Sequence, residues 1–238
     1  MSEPPDPQRP ASAAPTEEQL DREMPGGSES AGHDPYAALR IPDYWFYCAG
    51  WVISVLGQQV QSVAVQWQIF QKMGSGSRGA LALGLVGGVQ ALPVILLALP
   101  AGHLADRFDR RRIVMASQLF AFLCSLALAA VTRADSPVWS LYLLLGLAAT
   151  GQAIGWPARS ALLPQIVPAE VFSNATTWNS SAFQVASVAG PALGGLVVTF
   201  TVVGAYLIDA GCSLLFFAFL FLLTVRPAPR APEPLTLS

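Results

Sequence analysis

Charge is scarce in this sequence. Only 12% of its 238 residues are Asp, Glu, Lys or Arg, while 53% are apolar. A soluble domain carries about twice that charged fraction, so the surplus apolar surface needs lipid rather than a larger core. Cysteine is equally sparse. Cys48, Cys124 and Cys212 all sit inside apolar runs, with no CxxC and no paired spacing. This excludes a disulfide framework and a thiolate metal site, and leaves small buried apolar side chains. His33 and His103 lie too far apart in sequence to form a metal constellation. No nucleotide-binding loop and no nucleophile–base arrangement is present. The chain is therefore not expected to be an enzyme or to carry a metal or other cofactor.

The charge that is present is unevenly placed. Residues 1–40 hold eight acids and three arginines, a net of −5. Residues 41–238 hold ten basic groups and seven acids, a net of +3. The first 40 residues are rich in Pro, Glu, Ser, Gly and Ala and lack any apolar stretch, so nothing offsets the entropy of ordering them. They read as a disordered, acidic, proline-rich tail. Their acidity and missing apolar core exclude a secretory signal.

From residue 41 to 225 the chain divides into six apolar segments, roughly 43–70, 79–104, 111–132, 137–158, 172–201 and 203–225. Each is about 20 residues or longer, the length a helix needs to cross ~30 Å of hydrocarbon. Helices satisfy their own backbone in lipid, so six membrane-spanning helices are expected. A proline-bearing link with Pro157, Pro164 and Pro168 is expected between the fourth and fifth, and a turn at Val202–Gly204 between the fifth and sixth. The stretch from Arg226 to Pro234 reads as the start of a linker (226–238), since its prolines keep it out of a helix.

Basic residues set the orientation. With the N-terminus inside, Arg40, Arg107, Arg110, Arg111, Arg112, Arg159, Arg226 and Arg230 are cytoplasmic. Only Lys72, Arg78 and Arg133 are outside. Eight against three places both termini in the cytoplasm. Trp45, Trp67, Trp139 and Trp156 sit near segment ends, as interfacial anchors do.

Between the second and third segments lies the densest knot of charge, Gly102-His103-Leu104-Ala105-Asp106-Arg107-Phe108-Asp109-Arg110-Arg111-Arg112. Gly102 removes a side chain where the helix could approach a neighbour. Asp106 sets a carboxylate at the membrane surface, and the arginines favour the anionic leaflet. In the fifth segment, Gly190-Pro191-Ala192-Leu193-Gly194-Gly195 combines a bend with close-packing positions.

The pattern G-x-L-A-D-R between two apolar helices resembles the signature loop of the major facilitator superfamily. G-P-x-x-G-G resembles the antiporter motif of its exporters. The stretch Pro157-Ala158-Arg159-Ser160-Ala161-Leu162-Leu163-Pro164 and the first-helix run from Val63 to Ile69 resemble the macrolide-efflux and enterobactin-exporter branch. The resemblance covers about residues 41–225. It implies an all-α membrane fold, six transmembrane helices forming the N-terminal half of the major-facilitator architecture, a three-plus-three inverted repeat. Pro93 and Pro191 fall at equivalent places of that repeat. It further implies that Asp106 gates the transporter by meeting a helix N-terminus of the opposite half, with Gly102, Arg107, Arg110 and Arg111 in support. Asp109 stands where the family often has glycine, and is expected to compete with Asp106 for the arginines.

The first segment is unusually polar. Gln58 and Gln61 share one helical face, and Gln59, Ser62 and Gln66 another. Lipid would not tolerate both, so they either line a cavity or bond to other helices. By resemblance, the first and fourth helices line the translocation path. Gln58, Gln61, Gln66, Tyr142, Gln152 and Trp156 are then its candidates, with Gln184 from the fifth. Asp209 is the one carboxylate well inside an apolar run. It reads either as a structural group or as a protonation site. Gly84/Gly88 and Gly151/Gly155 carry small-xxx-small spacing, expected to serve helix packing.

The expected function is secondary active efflux of a small amphiphilic compound, drug-like or siderophore-like, in the bacterial inner membrane, driven by protons. The expected partners are that substrate, the bilayer and a second six-helix half, which the superfamily's alternating access requires; no nucleic acid is expected. The chain is thus expected to be truncated or to pair with another half. The alternative is a non-transporting membrane scaffold or regulator.

Overall fold

The computed structural model describes residues 34–223. Six long helices run through these residues, with no strand among them. They are α1 (Pro42–Met73), α2 (Ser77–Arg107), α3 (Arg110–Arg133), α4 (Val138–Ile166), α5 (Phe172–Phe200) and α6 (Val202–Leu222). All six are long and apolar enough to cross a membrane. The shortest, α6, has 21 residues, which at 1.5 Å each gives about 32 Å and matches the hydrocarbon thickness. The chain is an integral membrane protein. The tail up to residue 33 and the linker stretch from Arg226 lie outside the described residues.

Local chemistry sets the helix ends. Pro42 opens α1 at a position where its missing N–H costs nothing, and Gly74 closes it at φ 77°. Asp109 caps α3, its carboxylate accepting from the Arg111 and Arg112 backbone N–H groups. Thr201 alone separates α5 from α6, and its hydroxyl accepts from Gly204 N–H at 3.2 Å. The turn expected at Val202–Gly204 is therefore the first turn of α6. Residues 38–40, at the end of the acidic tail, form a short 3₁₀ turn in which Ala38 is buried and its N–H donates to Asn174 Oδ1.

The largest boundary difference is in α4. Pro157 and Pro164 were read as link residues, but the helix runs through both to Ile166. In lipid, neighbouring helices re-satisfy the backbone groups that a proline frees, so proline does not end a spanning helix as it would a soluble one. The link shrinks to the residues around the Ala169–Val171 3₁₀ turn, and Trp156 moves from a segment end into the body of α4.

The helices pack as an arc in the order α5, α1, α6, α3, α4, α2. Exchanging α1 with α4, α2 with α5 and α3 with α6 leaves this order of neighbours unchanged, read from the other end. Three spans per repeat also reverse direction. The packing thus carries the signature of a three-plus-three inverted repeat. The arc folds so that α3 and α6 form a back wall, while α2 and α5 flank the seam between α1 and α4.

Two apolar cores fill the bundle, one toward each end. The core on the side of the N-terminus holds Tyr44, Tyr47, Trp51, Val114, Leu162 and Phe216. The other holds Val65, Ile69, Leu128, Leu141 and Tyr206. Between them lies a polar layer: Gln58 and Gln59 in α1, Gln90 in α2, Gln118 and Ser125 in α3, Gln152 in α4, and Asp209 and Ser213 in α6. Polar groups at mid-membrane depth are costly unless paired or wetted.

Candidate functional site: two cavities along the α1–α4 seam

A central cavity of about 280 Å³ opens in the polar layer between α1, α2 and α4. Gln58, Gln61 and Gln152, three of the path candidates, line it together with Gln59, Ser62 and Gln90. Both polar faces of α1 therefore reach one cavity. They also bond to protein: Gln58 Nε2 donates to Ser54 Oγ at 3.3 Å, and Ser54 Oγ donates to Gln118 Oε1 at 3.1 Å. The glutamines serve as cavity lining and interhelical link together.

A second cavity, of about 390 Å³, lies toward the N-terminal side between α1, α4 and α5. Trp156 and Gln184, two further path candidates, line it together with Tyr47, Trp51, Arg159 and Asn179. Trp51 stacks on Phe183 with ring centroids 5.8 Å apart, giving the cavity an aromatic wall.

Two path candidates lie elsewhere. Gln66 is exposed, and its amide donates to Ser62 Oγ at 3.1 Å, one turn back on its own helix. Tyr142 reaches across to α2, its hydroxyl donating to Ala82 O at 2.9 Å. It braces α4 against α2 and lines neither cavity.

The glycine motif of α5 splits in two. A Cβ on Gly190 would collide with the Gln59 side chain, and one on Gly194 would come within 3.1 Å of Val60 Cα. These two glycines let α1 lie directly on α5. Pro191 and Gly195 face outward, and nothing lies within 4 Å of a Cβ built on Gly195.

The α2–α3 turn also divides. Arg110 Nη1 donates to Ala161 O of α4 at 2.9 Å. Arg111 donates to the carbonyls of Leu220 and Phe221, both at 2.8 Å. Those carbonyls belong to the last turn of α6, which has no intrahelical donor for them, so Arg111 caps that helix and meets the negative end of its dipole. Asp109 caps α3 and pairs with Arg112, its Oδ2 3.8 Å from Nε, while Arg110 and Arg111 go to backbone carbonyls and to neither acid. Asp106 and Arg107 are exposed and make no hydrogen bond or ion pair among the described residues. Gly102 touches no neighbour within 4 Å of an added Cβ, so the close approach expected there is absent within the described residues.

Asp209 is 1% exposed, in the back wall. Its Oδ2 accepts from Ser125 Oγ at 2.5 Å, and its Oδ1 has no partner. Cys124 of α3 and Cys212 of α6 are the titratable groups beside it. Neither cavity is lined by α3 or α6 among the described residues. At the end of the bundle opposite the N-terminus, Lys72 Nζ donates to Asp135 Oδ1 at 2.6 Å and to Ser136 O at 3.0 Å. That hydrogen bond, with the ammonium charge, holds the exposed Asp135 carboxyl below its ordinary value.

Arg159 is the site residue that sequence reasoning missed. Once Pro157 was read as a helix end, Arg159 fell into a surface link and counted only toward orientation. The signal that could have found it is the continuing apolar run Ala161-Leu162-Leu163, which resumes at helical spacing beyond it.

A bundle of six spanning helices with repeat-symmetric packing, a mid-membrane polar layer and two cavities on one seam defines a polytopic transporter-type fold. The family model described as transmembrane secretion effector matches residues 33–236, and the chain belongs to this family of the major facilitator superfamily. It is similar to the MFS-type transporter YfiS of Bacillus subtilis, 34% identical over 56% of this chain and 31% of that protein. It is also similar to macrolide efflux protein A of Streptococcus pyogenes, at 25% identity over 63% and 36% respectively. A third relative is the multidrug efflux pump Tap of Mycolicibacterium fortuitum, at 30% identity over 67% and 40%. The matched stretch thus covers 31–40% of the length of these relatives.

Proposed function

We propose that this chain is a six-helix half of a secondary transporter that exports a small amphiphilic compound, drug-like or siderophore-like, from a bacterial cytoplasm by alternating access. The observation that carries the reading is the pair of cavities along the α1–α4 seam, one central and one toward the N-terminal side, flanked by the thinly covered helices α2 and α5. Substrate in such a path meets uncharged amides in the middle and aromatic rings at one end, a match for a molecule with polar and apolar faces. The efflux relatives support the direction of transport. The excess of basic residues on the N-terminal side supports cytoplasmic termini and the inner membrane.

The seam is one wall of a path, and a second six-helix half supplies the other, as continuing chain or as a partner. Asp106, exposed and without a partner among the described residues, is the latch toward a helix N-terminus of that second half. Pro191 and Gly195 of the α5 motif are exposed as well. Asp209 is the candidate protonation site: its Oδ2 is bonded to Ser125 and its Oδ1 has no partner among the described residues.

The test is accumulation of fluorescent amphiphiles in everted vesicles carrying the chain, with and without an imposed proton gradient. Gradient-dependent accumulation that Asp106→Asn abolishes is expected. Vesicles no different from empty ones, while native mass spectrometry shows a paired chain, would favour the non-transporting scaffold.

A further inference from the structure

Arg159 is 6% exposed, yet its charge is unanswered. Its Nε is fully buried without a hydrogen-bond partner, and it makes no ion pair among the described residues. What surrounds it is aromatic: the guanidinium carbon lies 5.9 Å from the Trp156 ring centre and 5.7 Å from that of Phe216. Ring faces attract a cation but satisfy none of its N–H groups. The structure tolerates this cost beside a cavity of about 390 Å³, not in solid packing. Asn179 lines the same cavity, with its Oδ1 also buried and without a partner. Trp51, stacked on Phe183, forms the adjoining wall.

A buried guanidinium facing an open space is a preorganised fork for an oxygen anion, and the aromatic wall fits an apolar body attached to it. We infer that this cavity binds an organic anion, one carboxylate or phosphate group on an aromatic or aliphatic body, with Arg159 as its counter-charge. This deepens the transport reading by naming a substrate class, and it rests on that reading for the direction in which such a molecule would move. The bound molecule is amphiphilic, and its charge is negative.

Binding can be measured without transport, so failure here is distinguishable from failure of the efflux reading. The chain is placed in phosphatidylcholine nanodiscs, and equilibrium dialysis against 2-naphthoate and its uncharged amide, 2-naphthamide, is compared with empty discs. The carboxylate is expected to bind at least tenfold more tightly than the amide. Arg159→Gln is expected to erase that preference while retaining amide binding. Asn179→Asp, which sets a competing carboxylate in the cavity, is expected to do the same if the first variant does not fold. Equal affinity for the two probes in the unmodified chain overturns the proposal, as does a preference that survives Arg159→Gln in a folded sample. Phosphatidylglycerol in the discs separates the sources. Weaker naphthoate binding assigns the site to lipid headgroups as well, and unchanged binding reserves it for soluble anions; either result keeps the anion site.

Discussion

Where α1 lies against α6 its glycines mark places where two helices touch; in the body and at the end of α2 they mark open surface. A Cβ on Gly57 of α1 would lie 2.8 Å from Cys212 Cβ and 2.9 Å from Asp209 Oδ1, and one on Gly50 would lie 2.6 Å from the Phe216 ring. On α2, Gly84, Gly88 and Gly102 have nothing within 4 Å. The most apolar window of α1 is 56% buried, and that of α2 only 11%. Gly84/Gly88 and Gly151/Gly155 share one spacing, yet only the second pair packs, against Phe120 and Ser117 of α3. Spacing shows that a helix could be approached closely; it does not say whether anything approaches. In the back wall small residues hold the half together. On α2 they leave a surface that the second half is proposed to meet.

Substitutions in the two regions should differ most at the glycines. Gly57→Leu is expected to force α1 from α6 and destabilise the chain by about 3 kcal/mol, at the upper end for overpacking. Gly88→Leu should stay within about 0.5 kcal/mol, as for a surface change, while lowering transport. Thermal unfolding in detergent checks both, and equal destabilisation would break the contrast. Next in size is Arg111→Ala, which strips two carbonyls at the end of α6 of their donor and should cost about 2 kcal/mol. Arg107→Ala, on the same turn, should leave the melting temperature unchanged. Tyr142→Phe removes one hydrogen bond between α4 and α2 and should cost about 1 kcal/mol, measured by the same melts. The smallest effect concerns Asp135. Its carboxyl is held below the ordinary value by Lys72. The pair therefore stabilises the fold above the unfolded-state value near ~3.9, and that contribution fades as pH falls through the lower folded value. Because Asp135 is fully exposed, melts of Asp135→Asn and the unmodified chain should nearly coincide at pH 7 and converge fully in acid.

The six helices were legible because an apolar run of spanning length has few other fates in lipid. Gln58, Gln61 and Gln152 were legible as polar positions that need a cavity or a partner, and they line the central cavity. Gln66 and Tyr142 were not separable from them, since a polar side chain on the expected helix can turn to its own helix or to a neighbour's backbone. Arg159 was hidden by Pro157, whose meaning as a helix end holds in water and not within a bundle. Arg110 and Arg111 were legible as charge at a helix junction but not as caps, because their acceptors, Ala161, Leu220 and Phe221, are distant in sequence.

By itself the sequence determined what hydropathy and local chemistry dictate: the number of spans, the amides that interrupt the first of them and the junctions that carry the basic residues. These depend on single residues and the medium around them. Only the tertiary structure decided which polar groups share a cavity, which glycines are touched, that Asp209 lies in the wall behind both cavities, and that Arg159 lines an aromatic chamber with no ion pair among the described residues. Those outcomes depend on which helices become neighbours, a choice made by packing side chains far apart in the chain.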